Sequence, residues 1–141
     1  MLKIVIDTNL WIRALLGGPV TMPVLNAWKA KKFQVVVSQP LLDELDEVWQ
    51  RPRLRKHIRA EDAEGLLEQL RRRGLTVTIS TVPPHCRDPK DHPVLATAID
   101  GHADAIVSGD GDLRADDELR KKMTVYGVEI WGIDTLLTKI S

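Results

Sequence analysis

The chain alternates short runs of β-branched apolar residues with longer stretches in which apolar residues recur every three or four positions. The runs are typical of strands buried on both faces of a sheet, and the longer repeat is typical of amphipathic helices. Strands are predicted over residues 3–7, 33–38, 75–80, 103–110 and 125–131, of which the third alternates and is expected to be more exposed. Helices are predicted over residues 8–18, 20–32, 39–50, 60–74, 94–100 and 132–140.

This alternation of strands and helices also predicts the fold class. Successive βαβ units place parallel strands in one sheet and helices on both of its faces. The 141 residues have the size of one ordinary domain, so we predict a single α/β domain over residues 1–141. Ser38 ends the second strand, and its side chain is expected to cap the helix that follows.

Composition narrows the class of protein. With 43% hydrophobic and 28% charged residues, the chain is typical of globular proteins and not of disordered ones. Basic and acidic residues cancel, so net charge does not indicate a nucleic-acid partner. The single cysteine, Cys86, excludes an internal disulfide and fits a reducing compartment. Because no apolar stretch approaches the ~18 residues of a membrane span, and the N-terminus enters a strand at once, we predict a cytoplasmic protein without membrane contact.

Several carboxylates occur where the predicted strands end. Asp7 ends the first strand and Asp110 the fourth, with Asp112 two residues further on. Asp91 opens the helix that leads into the fourth strand. Each of these residues alone could be a helix cap. Because ligands of such folds bind at the carboxyl ends of the strands, their convergence indicates a site.

Glu44 is a further candidate, on the helix that follows the second strand. At ~100° per residue, Asp43 and Glu47 fall opposite the apolar stripe of this helix. Glu44 lies at the border of the stripe, between Leu41 and Val48. It can therefore turn toward the strand ends, or remain a solubilising residue at the edge of the core.

A cluster of such acids would require a cation. Two unit charges ~4 Å apart repel by roughly 4 kcal/mol at an effective dielectric constant of about 20. Oxygen ligands without thiolate or imidazole partners select Mg²⁺ or Mn²⁺. Magnesium binds phosphate oxygens, so the matching chemistry is phosphoryl transfer or phosphodiester hydrolysis. No histidine is required, and His92, beside Asp91, is the one histidine considered for the site.

Four motifs carry a family resemblance. "VIDTN", "LLDEL", "CRDPKD" and "SGDGDL", in this order and spacing, resemble PIN-domain ribonucleases, above all the VapC-like toxins of toxin–antitoxin pairs. The resemblance implies a three-layer α/β/α domain with a central parallel sheet and an acidic pocket that binds Mg²⁺ or Mn²⁺. The catalytic, metal-binding acids of the family correspond to Asp7, Glu44, Asp91 and Asp110. Its supporting positions correspond to Asn9, Asp88, Ser108 and Asp112.

The resemblance also implies an RNA substrate, a cognate antitoxin protein that covers the pocket, and a homodimer. RNA binding needs positive charge around the negative pocket, because phosphate contacts dominate affinity. The basic candidates, in the connector after the third helix and in the motif that contains Asp91, are Arg51, Arg53, Arg55, Lys56, Arg87 and Lys90. The four tryptophans are expected in the core or at a dimer interface.

Two rival interpretations remain. A phosphatase of the haloacid-dehalogenase type also ends a strand in an aspartate, but its second aspartate is absent, since Asn9 stands at that position. A non-catalytic RNA- or protein-binding module of the PIN type would not need the complete set of acids. A cleavage assay separates this module from a nuclease.

Overall fold

The fold is a five-stranded parallel sheet between two layers of helices, as predicted. A computed structural model describes residues 1–82, 91–109 and 111–141, with the backbone alone at residue 112. The strands are β1 (Lys3–Ile6), β2 (Gln34–Ser38), β3 (Leu75–Val77), β4 (Ala105–Val107) and β5 (Glu129–Trp131), in the order β3-β2-β1-β4-β5. The helices are α1 (Thr8–Leu15), α2 (Met22–Lys29), α3 (Gln39–Trp49), α4 (Pro52–Arg55), α5 (Ala60–Arg73), α6 (His92–Asp100), α7 (Gly111–Ala115), α8 (Asp117–Thr124) and α9 (Ile133–Ile140).

The first strand is central because its side chains suit burial on both faces. Ile4, Val5 and Ile6 are almost completely buried, and β1 pairs in parallel with β2 on one side and β4 on the other. The chain adds β2 and β3 on one side of β1 and then crosses over to add β4 and β5 on the other. In sheets of this kind the ligand-binding crevice lies where the strand order reverses, which here is at the carboxyl ends of β1 and β4.

The two helical layers bury separate apolar cores. Side chains from α1, α2, α3, α5 and α9 pack on one face of the sheet, and side chains from α6, α7 and α8, joined by Leu41 of α3, pack on the other. The four tryptophans, Trp11, Trp28, Trp49 and Trp131, are all buried in the first core. The tryptophans were expected in the core or at a dimer interface, and the structure places all four in the core.

All five predicted strands and most predicted helices are shorter in the structure, and for two elements the reason is identifiable. The helix predicted over residues 20–32 is α2, which ends at Lys29 because Lys31 adopts a left-handed backbone with φ of 59°. The strand predicted over residues 75–80 stops at Val77. Its continuation donates the N–H groups of Ser80 and Thr81 to the carboxylate of Asp100, at 2.7 and 3.1 Å, and so leaves the sheet.

Two helices begin near prolines at positions that differ from the prediction. The helix predicted from residue 94 begins at His92, since Pro93 is tolerated in a first helical turn. The basic connector contains the short helix α4, which begins at Pro52 for the same reason. No helix within residues 1–82, 91–109 and 111–141 is long and apolar enough to cross a membrane.

Candidate active site

The carboxylate of Asp7 is held at the carboxyl end of β1. Because β1 ends at Ile6 and α1 begins at Thr8, Asp7 is the N-cap residue of α1, and it is only 7% exposed. One carboxylate oxygen, Oδ1, accepts the N–H of Leu10 at 3.0 Å. The other, Oδ2, accepts the hydroxyl of Ser108. These two bonds fix the orientation of a buried carboxylate at the crevice.

Ser108 lies one residue beyond β4 and is completely buried. Its N–H donates to the carbonyl of Trp131 at 3.0 Å, which continues the pairing of β4 with β5. The N–H of Asp7 donates to the carbonyl of Val107 at 3.1 Å, which continues the pairing of β1 with β4. The sheet itself therefore brings Asp7 and Ser108 together.

Glu44 is linked to the same edge through Thr8. The hydroxyl of Thr8, the residue after Asp7, donates to Oε2 of Glu44 at 3.1 Å. Glu44 is half-buried on α3, whereas Asp43 and Glu47 are exposed. The side chain of Glu44 thus turns toward the end of β1, the first of the two orientations that its position at the border of the apolar stripe allowed.

Ser38 does not cap α3, so this prediction is wrong. A capping serine bonds the N–H of the second or third helical residue, and in α3 the second residue is Pro40, which leaves only the N–H of the third. The Ser38 hydroxyl instead bonds the Thr97 hydroxyl on α6 at 2.7 Å. The bond ties α6 to the carboxyl end of β2.

Asp91 immediately precedes α6, and the packing of this helix shows which edge of the sheet it occupies. Thr97 contacts Ser38 at the end of β2, and Gly101 lies against Val36 further back along the strand. The helix therefore runs antiparallel to the strands, and its N-terminus points past their carboxyl ends. At about 1.5 Å per residue, Asp91 lies roughly 9 Å beyond Thr97 along the axis. It is half-buried and makes no side-chain capping bond to α6.

Part of the predicted site is not described. Outside the described residues lie Cys86, Arg87, Asp88, Lys90 and Asp110, together with the side chain of Asp112. Asn9 is exposed in the first turn of α1. Within the described part of the chain, no three His, Cys, Asp or Glu side chains are grouped so that they could hold a metal ion. The described residues thus supply Asp7, with Glu44 linked to its neighbour Thr8.

The basic connector lies away from this edge. Its predicted RNA-binding residues Arg51, Arg53, Arg55 and Lys56 are exposed, and Arg51 forms an ion pair with Glu47 at 3.0 Å. The connector begins at the far end of α3, whose 11 residues span about 16 Å from the carboxyl edge. The RNA-binding role of the connector remains a prediction.

Two residues that the sequence analysis did not single out contact this edge. Thr8, inside the "VIDTN" motif, links the neighbourhood of Asp7 to Glu44. Arg13 is exposed on α1, and its guanidinium lies against Gly109. The sequence could have indicated Arg13 through its distance from Asn9, which is a predicted pocket residue. Arg13 comes four positions later, and residues four apart share one face of a helix.

Comparison with known proteins identifies the family. A family model described as the PIN domain matches residues 3–112, which is 110 of the 141 residues. The match covers the sheet from β1 to β4 and every candidate acid, whereas α8, β5 and α9 lie beyond it. A search of curated proteins found no match. The chain belongs to the PIN domain family.

Proposed function

We propose that this protein is an endoribonuclease that hydrolyses RNA phosphodiester bonds with the help of Mg²⁺ or Mn²⁺. PIN domains are generally nucleases, which supports nuclease activity. The observation that carries the proposal is the buried carboxylate of Asp7 at the crevice between β1 and β4, held by Leu10 and Ser108. A carboxylate oriented at this place is in position to serve a ligand bound at the carboxyl edge.

The chemistry of the donors fits a hard divalent cation. Asp7 and Glu44 offer carboxylate oxygens near the hydroxyls of Ser108 and Thr8, and oxygen donors of this kind select magnesium or manganese. We propose Asp7, Glu44, Asp91 and Asp110 as the residues that hold the ion, with Asn9, Asp88, Ser108 and Asp112 in support. A divalent ion held there would offset the charge of the phosphate and activate water for attack.

The described side chains contribute positioning. Leu10 and Ser108 fix both oxygens of Asp7, so this carboxylate does not rotate freely. Thr8 orients Glu44 from the adjacent position in the chain. Hydrolysis of a phosphodiester depends on reacting groups placed to within about 1 Å, so supporting bonds of this kind affect the rate without touching the substrate.

RNA from cells that express the protein tests the proposal. We expect cells with the wild-type chain to accumulate RNA ends at recurring positions, and cells with the matched variant Asp7→Asn to lack them. Asparagine caps a helix about as well as aspartate, so the variant keeps the fold. Equal sets of RNA ends in both cultures would overturn the nuclease proposal.

We propose further that the protein is the toxin of a toxin–antitoxin pair. The basis is its resemblance to the VapC-like toxins, in which a cognate antitoxin covers the acidic pocket and the toxin is a homodimer. Expression alone should arrest growth, and co-expression with the protein encoded beside it should restore growth. Light scattering of the purified chain should give the mass of a dimer. Harmless overexpression of a chain shown to be active in vitro, with no inhibitor bound, would contradict the toxin role.

A further inference from the structure

Two arginines lie against glycines at the carboxyl ends of neighbouring strands. A Cβ added at Gly109, just after β4, would lie 2.8 Å from Nη1 of Arg13. A Cβ added at Gly132, just after β5, would lie 2.9 Å from Nη1 of Arg114. Neither glycine has a positive φ, so what it provides is space for the guanidinium group and not an unusual backbone conformation.

Both guanidinium groups are close to the candidate active site. Gly109 directly follows Ser108, whose hydroxyl bonds the carboxylate of Asp7. Gly132 directly follows Trp131, whose carbonyl accepts the N–H of Ser108 at 3.0 Å. The two arginines therefore lie at the ends of β4 and β5, on the side of β1 from which Ser108 contacts Asp7, one from α1 and one from α7.

The charges of these arginines suit an anion. Arg13 and Arg114 are exposed, and within the described part of the chain neither forms an ion pair. Two cations at adjacent strand ends repel each other, and an anion between them would remove that repulsion. A guanidinium group presents a planar fork of donors that matches the oxygens of a phosphate.

We infer that Arg13 and Arg114 form a phosphate clamp, which holds the RNA backbone beside the acids at the carboxyl edge. The inference rests on the proposed nuclease function and adds the residues that bind its substrate. It places the RNA at the edge that carries Asp7, and not on the basic connector about 16 Å away along α3. A nuclease with a negative pocket needs cations at this rim, because phosphate contacts supply most of the affinity for nucleic acid.

Binding of a short fluorescent single-stranded RNA tests the clamp. All proteins carry Asp7→Asn, so that the RNA stays intact, and the dissociation constant is measured over a range of salt concentrations. Arg13→Ala and Arg114→Ala should each weaken binding about tenfold, the effect of losing a charge-assisted hydrogen bond. Each should also reduce the slope of log affinity against log salt by about 0.7, the value for one lost phosphate contact with a single strand. Arg13→Lys should keep the slope and lose part of the affinity.

Arg71→Ala is the matched control. Arg71 is exposed in the last turn of α5, which leads into the start of β3, so it lies at the opposite edge of the sheet. This variant removes the same charge and should leave affinity and salt slope nearly unchanged. Gly109→Ala should act like a partial loss of Arg13, because the new Cβ displaces the guanidinium, and should add little to Arg13→Ala.

The outcomes separate the clamp from the function on which it rests. If the wild-type chain neither binds nor cleaves RNA, both proposals fail together. If it cleaves RNA while Arg13→Ala and Arg114→Ala bind as Arg71→Ala does, the clamp is wrong and the nuclease proposal stands. If Arg13→Ala and Arg114→Ala lower the melting temperature but leave the slope of log affinity against log salt unchanged, both arginines have a structural role only, and the clamp is also wrong.

Discussion

Replacing Asp7 by alanine and by asparagine separates what this side chain does for the fold from what its charge does for a metal. Alanine removes the cap that bonds the N–H of Leu10, at a cost of about 1 kcal/mol in the free energy of unfolding. It also takes an acceptor from the buried hydroxyl of Ser108, at a cost of about 1–3 kcal/mol. We therefore expect Asp7→Ala to destabilise the metal-free protein by about 2–4 kcal/mol.

Asparagine should leave the metal-free protein within about 1 kcal/mol of wild type. Its amide oxygen can keep the bond to Leu10, and its amide nitrogen can donate to the Ser108 oxygen, which reverses that bond. The two bonds lose the strength that a charged acceptor gives them. Relief of repulsion between Asp7 and Glu44 acts in the opposite direction, so the two changes largely cancel.

Urea unfolding, followed by the fluorescence of the buried tryptophans, measures these differences with and without Mg²⁺. At a Mg²⁺ concentration about 100 times its dissociation constant, wild type should gain roughly 2.7 kcal/mol, and both variants should gain less. If alanine costs no more than asparagine, the contacts of Asp7 do not hold the fold as described. If Mg²⁺ stabilises wild type and Asp7→Asn equally, Asp7 is not a metal ligand.

Three further predictions test the surroundings. Thr8→Val keeps the shape of the side chain but removes the hydroxyl that donates to Glu44, so kcat for RNA cleavage should fall about tenfold while the free energy of unfolding falls by less than about 1.5 kcal/mol. An unchanged kcat would contradict this. Gly101→Ala would place a Cβ 2.5 Å from a core valine of β2 and should lower the free energy of unfolding by about 1–3 kcal/mol. Gly65→Ala, with open space on α5, should raise it by about 0.5–1 kcal/mol, and similar shifts in denaturant midpoint for the two variants would refute the packing argument. The pKa of Asp100 is lowered by a hydroxyl and by N–H groups that bond its carboxylate, so this carboxylate should stabilise the fold above about pH 4 and lose that effect as the pH falls through the lower pKa of the folded state. When unfolding is measured from pH 5 to 2, Asp100→Asn should reduce the loss of stability with falling pH, and an equal loss in both proteins would contradict this.

The sequence predicted the elements whose residues carry their own signal. The strand that contains Ile4, Val5 and Ile6 is apolar at every position because both of its faces are buried, and this pattern is visible without a structure. The parallel sheet followed from the alternation of elements, and the place of Asp7 followed from the rule that ligands bind at strand ends. These inferences depend on neighbours in sequence and on fold-level geometry alone.

Contacts between distant residues could not be predicted in this way. The hydroxyl of Ser38 bonds the hydroxyl of Thr97, 59 positions away, instead of an N–H of its own helix. The strand β3 is short because residues beyond it bond Asp100, 20 positions later. The place of Arg13 against Gly109 depends on how α1 packs beside β4. In each case a group can bond either a neighbour in sequence or a residue that only the fold brings close. The local sequence pattern indicates the first partner and contains no information about the second.

Cleavage of a single-stranded RNA by the purified protein tests the central claim most directly. Wild type and Asp7→Asn are prepared identically and incubated with labelled RNA in Mg²⁺, after EDTA, and after Mg²⁺ is added back. We predict that wild type cuts the RNA, stops in EDTA and resumes with fresh Mg²⁺, while Asp7→Asn cuts at a rate at least a hundredfold lower, on the order of a lost catalytic group. Cleavage that persists without metal, or equal rates for the two proteins, would contradict a metal-dependent nuclease centred on Asp7.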